Sequence, residues 1–273
     1  MTTRIETDLD MAALSRWVDE RTPSALFATV SGAHLYGFPS VDSDVDVRGS
    51  FLAPLAEVVG LVHPAETVDP KDVLANREVE AVFHEIGKYF RLLVKHNGYI
   101  LEQIFSPIVL TGGEFLTRLR PLAARCVTRN CFHHYRGFLS TQRNLLEKEK
   151  VKKAKSILYA YRVVLTGIHL LRTGEVESHL PTLNEELRFE FIPELIERKK
   201  LAEFGCLNGL NYSRHVIELD RLGIEMERAY ESSSLPTHAP VDEAHRFLVE
   251  LRLNSIPCQT PMDMTFRHFQ MRT

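Results

Sequence analysis

The chain is predicted to be α+β, a small mixed sheet followed by a C-terminal helical bundle. Three observations carry this. Residues 25–30, 44–52 and 77–84 are short runs rich in β-branched and aromatic residues, all within the first third of the 273-residue sequence. From residue 115 onward, apolar residues recur with the 3.6 period of helices, interrupted by Gly, Pro and Ser. Strands first and helices afterwards is the order of an α+β chain, and the length suffices for one large or two smaller units. Thr111-Gly112-Gly113 marks the change of pattern, so the expected division is 1–112 for a sheet-bearing catalytic domain and 113–273 for a helical domain.

Taken in order, residues 8–20 form an amphipathic helix with Leu9, Ala12, Leu14 and Trp17 inward, ended by Thr22, Pro23 and Ser24. Residues 25–30 are the first strand and run into the small-residue turn Ser31-Gly32-Ala33. The second strand carries Asp44 and Asp46 among Val45, Val47, Phe51 and Leu52. Residues 57–62 are a short element of either type, and 63–76 are polar and irregular, expected as a mobile loop beside the site. The third strand, 77–84, leads into a helix at 85–96 with Ile86, Phe90, Leu93 and Val94 on one face. Asn97-Gly98 breaks that helix before another at 99–105. Further helices are expected at 115–126, 132–148, 152–173, 184–203, 211–231 and 241–253, with breaks at Gly174, Pro181, Gly205 and residues 232–236.

The chemistry concentrates between residues 30 and 49. Residues two apart on a strand share a face, so Asp44 and Asp46 are neighbours. Two such charges ~5 Å apart repel by roughly 3 kcal/mol at an effective dielectric of about 20. A shared cation relieves this, and oxygen ligands favour Mg²⁺ or Mn²⁺. The turn at Ser31, Gly32 and Ala33 lets backbone N–H groups approach an anion. A lone Asp-x-Asp is common in exposed strands, and a Gly turn is equally common. Their ordered combination is what points to a metal–nucleoside triphosphate site. A metal held at such a site can draw on a further carboxylate. Glu78 and Glu80 share a face of the third strand, and Glu85 begins the next helix.

A second stretch sets Lys152, Lys155, Tyr159 and Arg162 at steps of three and four, hence on one helix face. Such a stripe can neutralise a triphosphate and stack a base, although charge runs are usually solvated faces. Lys150 and Lys153 point elsewhere. His63, His133 and His134 lack the companions that zinc needs.

Gly32-Ala33-His34-Leu35-Tyr36-Gly37 followed by Ser43-Asp44-Val45-Asp46-Val47-Arg48-Gly49 resembles the signature of DNA polymerase β-type nucleotidyltransferases. More narrowly it resembles the RlaP-like family, whose pattern runs G-S-x-x-Y-G and then S-D-x-D-x-R-G. Ala33 stands where that pattern has Ser, with Ser31 close by. Residues 83–92 resemble the family's aromatic-Glu-Leu-x-Lys-Phe segment, which points to Glu80 as the third acid. Residues 97–106 resemble its Asn-Pro-Asn-x-x-Glu-x-Leu segment, with Gly98 in place of Pro and Glu102 as a packing residue or an active-site helper. Lys152 to Arg162, with Gly174-Glu175 beyond, resembles its helix before a Thr-Gly-Glu turn.

The resemblance implies a metal-dependent transfer of NMP from an NTP to an acceptor hydroxyl, with pyrophosphate released. Asp44, Asp46 and Glu80 would be the catalytic and metal-binding set. Ser31, Gly32, Ala33, Tyr36, Ser43, Arg48, Lys152, Lys155, Tyr159 and Arg162 would bind the nucleotide. An RNA end is the leading acceptor. A protein AMP-transferase of toxin–antitoxin type and a non-catalytic nucleotide-binding module are the rival readings.

Composition narrows the partners. A formal net charge of −3 gives no global field for nucleic acid, so any RNA surface is a local patch. Cys126, Cys131, Cys206 and Cys258 show no metal or disulfide spacing. With no apolar run long enough for a bilayer, they are expected as reduced thiols of a cytoplasmic protein.

Overall fold

The computed structural model describes residues 7–201 and 209–255. Its sheet is mixed. β1 (Ala25–Val30) lies antiparallel to β2 (Val45–Phe51), and β2 lies parallel to β5 (Arg77–Glu85). β6 (Val109–Thr111) flanks β1. β3 (Thr67–Val68) and β4 (Lys71–Leu74) both pair antiparallel with β5. Residues 63–76 are therefore not the expected irregular loop. Their strands are two and four residues long, too short to leave a period in the sequence, and form because β5 offers an open edge.

Residues alternate across this sheet. Val45, Val47, Val79, Ala81 and Phe83 join Leu14, Trp17 and Val18 of α1 (Met11–Arg21) in one apolar layer. Trp17 Nε1 also donates to Asp72 Oδ2 at 3.2 Å, tying α1 to β4. The alternate positions, Asp46 and Arg48 on β2 with Glu80, Val82 and His84 on β5, belong to the other face.

That face is overlain by helices. α2 (Gly32–Tyr36), α4 (Ile86–Leu93) and α5 (Gly98–Phe105) share a continuous core with α6 (Gly113–Arg125), α7 (Cys131–Lys148) and α8 (Ala154–Thr173). α8 is buried along most of its length between α7 and α11 (Gly209–Ser232). The short element at 57–62 is the helix α3 (Leu55–Val59). The helix expected over 184–203 is two, α9 (Leu180–Leu187) and α10 (Phe191–Leu201). Arg188 at φ 54° turns the chain between them, and the Asn184 carboxamide bridges the turn to the backbone of Phe189. The break expected at Gly205 lies outside the described residues, as do Cys206 and Cys258.

α12 (Val241–Asn254) returns to the sheet. Glu85 ends β5 rather than beginning the helix: it accepts from Gly87 N–H at 2.7 Å as the cap of α4, and from Arg252 of α12 at 2.8 Å. Cys126 and Cys131 are buried free thiols, and burial pushes Cys126 up to about 11. Among the described residues no helix is long and apolar enough to cross a membrane.

Candidate active site

The β1–α2 turn is pressed against the start of β2. Ser31 N–H donates to the Asp46 carbonyl at 2.8 Å, and Gly32 adopts φ +63°. A Cβ at Gly32 would sit 2.0 Å from Asp46 Oδ2, so the turn meets the carboxylate with no room for a side chain.

The parallel register sets Asp46 directly beside Glu80. Registered neighbours share a face, so the two carboxylates point to the same side. Glu78 follows that alternation but is exposed, whereas Glu85 belongs to the opposite, buried side. Asp44 is exposed, one residue before β2. Each strand carboxylate has a cation beside it. Arg48 donates to Asp46 Oδ1 at 2.7 Å and to the Glu80 carbonyl at 3.1 Å. Lys71 donates to Glu80 Oε1 at 2.6 Å and holds that carboxyl below its usual range.

Among the described residues no three His, Cys, Asp or Glu side chains are gathered as a metal cage. The donor set still fits a hard divalent cation: the carboxylates are anionic, oxygen-only and directed to one face. Their pairs with Arg48 and Lys71 are part-exposed, of the kind worth about 1 kcal/mol or less, which a cation can displace.

Beside these groups opens a cleft of about 440 Å³. The β1–α2 turn and β2 contribute Ser31, Gly32, Tyr36, Asp46 and Arg48; β5 contributes Val82 and His84. α5 and its cap contribute Asn97, Tyr99, Ile100 and Gln103, and α8 contributes Tyr159. Burial pushes the Tyr159 hydroxyl up to about 12, with Asp46 and Asp44 adding to the shift, so it stays protonated. Its ring meets Tyr36 and Phe38 edge-on at 5.8 and 5.3 Å. His84 is held at Nδ1 by Thr67 Oγ1, which also receives Lys88; burial and then Lys88 depress its pKa, favouring the neutral ring.

The expected Lys152–Arg162 stripe is not formed. Lys152 precedes α8 and donates to the carbonyls of Leu146 and Glu147 at the end of α7, its ammonium 4.7 Å from the Tyr212 ring centre. Lys155 occupies the first turn of α8, outside the cleft lining. Arg162 is fully buried: it donates to Glu102 Oε1 at 2.8 Å and stacks 3.9 Å over Tyr36. It cannot neutralise a triphosphate from there. Glu102 also accepts from Tyr135 at 3.2 Å and Tyr36 at 3.3 Å; burial raises its carboxyl and Arg162 opposes the rise.

Ala33 is buried in α2. Ser43 bonds Ser40 and receives the buried ammonium of Lys199, from α10, at 3.2 Å. Lys199 gave no signal in the sequence, lying in an ordinary charged helix segment. Tyr99 and Gln103 follow from Glu102 once α5 is known to turn its flank to the cleft.

Residues 6–250 match the RlaP family, described as an RNA repair pathway DNA polymerase beta family. An uncharacterized protein of Methanocaldococcus jannaschii is 26% identical over 219 residues, 77% of this chain and 86% of that protein. The uncharacterized protein YcgL of Bacillus subtilis is 28% identical over 189 residues, 65% of this chain and 70% of that protein. A crystal structure of a nucleotidyltransferase-like protein from Exiguobacterium sibiricum aligns over 90% of this chain and 81% of that one, at 12% identity and a TM-score of 0.33, too distant a likeness to support an argument.

Proposed function

The chain belongs to the RlaP family of DNA polymerase β-type nucleotidyltransferases, and on that premise we propose that it transfers an NMP from an NTP to an acceptor hydroxyl with release of pyrophosphate. The observation that carries this is the Asp46–Glu80 pair, side by side on parallel strands and fronted by the Gly32 turn. On this reading residues 1–112 are the catalytic unit and 113–273 the helical unit.

Asp44, Asp46 and Glu80 would hold Mg²⁺ or Mn²⁺, which when bound supplies positive charge to the triphosphate. The turn at Ser31, Gly32 and Ala33 lets the phosphates approach closely, and Arg48, bonded to the Asp46 carboxylate and the Glu80 backbone carbonyl, adds a guanidinium there. Glu80, half-exposed on β5, would take the proton of the acceptor hydroxyl. Tyr99 and Tyr159 supply faces for a base. Lys152 and Arg162 have no part in nucleotide binding on this account. Supported by the family's description, the acceptor is an RNA end, and the setting is the cytoplasm, where buried free thiols such as Cys126 and Cys131 persist. Ala33, in place of the family's Ser, favours as second reading a nucleotide-binding module without transfer.

Thermal unfolding with each NTP, with and without Mg²⁺, tests this on wild type and the Asp44→Asn/Asp46→Asn double variant. A ligand at 100 times its dissociation constant adds about 2.7 kcal/mol of stability. The expected result is a metal-dependent shift for at least one NTP that the double variant loses. No shift with any NTP sinks the proposal. Incubation with α-labelled nucleotide then separates the acceptors: label on RNA supports the first reading, label on protein a protein AMP-transferase, and binding without transfer the module.

A further inference from the structure

Gln103 lines the cleft one helical turn after Tyr99, and its side chain takes no part in what has been described. It is 7% exposed, and its Oε1 is buried without a hydrogen-bond partner among the described residues. An unsatisfied buried carboxamide oxygen is destabilising. The surroundings hold it there nonetheless. The Gln103 carbonyl accepts from Thr29 Oγ1 at 3.1 Å, and the adjacent Glu102 is fixed by Arg162, Tyr36 and Tyr135. α5 is thus locked in place while one of its polar groups, at a cleft wall, lacks a partner.

The chemistry of that wall selects the ligand. Tyr99 and Tyr159 line the same cleft, and their uncharged rings suit a flat uncharged group rather than a phosphate. A carboxamide carries a donor and an acceptor side by side, and a turn of the Gln103 side chain into the cleft would bring its buried oxygen out and present both to the edge of a nucleobase. We propose that Gln103 reads the nucleobase of the bound nucleotide, so that base selection is a property of α5 rather than of the phosphate-binding turn. This rests on the nucleotide reading above and assigns that site its specificity determinant.

The test compares dissociation constants, in the presence of Mg²⁺, for the four NTPs and for inorganic tripolyphosphate, which has no base. In Gln103→Leu, similar in volume but unable to hydrogen-bond, affinity for the preferred NTP should fall about 10-fold, the four NTPs should converge, and tripolyphosphate should bind as before. The ligand-free variant should melt no lower than wild type, because an unsatisfied group has been removed; Gln103→Ala gives the same comparison should the Leu variant not fold. An unchanged NTP ranking in a folded variant overturns the proposal, as does wild type that binds all NTPs and tripolyphosphate equally. Wild type that binds neither overturns the nucleotide reading itself.

Discussion

Arg162 and Glu102 form an ion pair with a 2.8 Å contact in which neither side chain exceeds 1% exposure, and it joins α8 to α5 directly behind the cleft. Removing one partner strands the other charge in the interior, a loss of about 3–5 kcal/mol. Glu102→Gln and Arg162→Met should each show it in urea denaturation. The double variant should lose clearly less than the sum, because no isolated charge remains. Additive losses would mean that the pair is not coupled.

Gly32→Ala introduces a Cβ 2.0 Å from Asp46 Oδ2 at a φ of +63°. Since the carboxylate is what must yield, the metal-dependent NTP shift should disappear, with stability lower by about 1–3 kcal/mol. Gly113→Ala is the control: nothing lies within 4 Å of its would-be Cβ. It should leave nucleotide binding unchanged and stability level or up to about 1 kcal/mol higher.

Lys199 donates to the Phe38 carbonyl at 2.8 Å, Ser40 Oγ at 3.3 Å and Ser43 Oγ at 3.2 Å. These acceptors precede Asp44 on one loop, so the ammonium fixes the approach to the carboxylates from a helix 161 residues away. Lys199→Met should raise the Mg²⁺ needed for half-maximal NTP stabilisation several-fold, and Lys199→Arg should recover part of it. Equal Mg²⁺ dependence in a folded Met variant would refute this positioning role.

Acid should loosen the helical layer. Burial, and then Arg162, pulls His134 from its ordinary 6.5 down to about 4, and burial also lowers His34, His84, His179 and His215. A group depressed in the folded state contributes stability that is whole above 6.5 and is lost as pH falls from there toward its folded value. His134 alone accounts for about 2–3 kcal/mol between pH 6.5 and 4.5. His134→Asn should flatten that part of a denaturation-versus-pH curve. An unchanged curve would place the acid sensitivity elsewhere.

The sequence foretold what has a repeating pattern and missed what depends on distant partners. β1, β2 and β5 are legible because each is long enough to show its apolar character, and the Asp-x-Asp spacing sets Asp46 on a strand. The same alternation left Glu78 and Glu80 equivalent, and the β2–β5 register then set Glu80 beside Asp46. β3, β4 and β6 were invisible, because strands of two to four residues exist only through the neighbours they pair with. The Lys152–Arg162 spacing misled. Helical periodicity says which residues share a face but not that the face turns inward, and Arg162 turns inward to meet Glu102, 60 positions earlier. Gln103 carried no pattern of its own.

Arg252 reaching Glu85 has a consequence for how the protein is made. The two are 167 positions apart, and Glu85 sits at the hinge between β5 and α4, close behind the site. During synthesis the sheet leaves the ribosome first, at roughly 5–20 residues per second. For ~10 seconds or more, this carboxylate has its backbone cap but not its cation. The junction that follows the strand of Glu80 is therefore completed late, by a residue of α12, and a nascent chain stalled short of Arg252 would carry the carboxylates of the site on an unlatched frame.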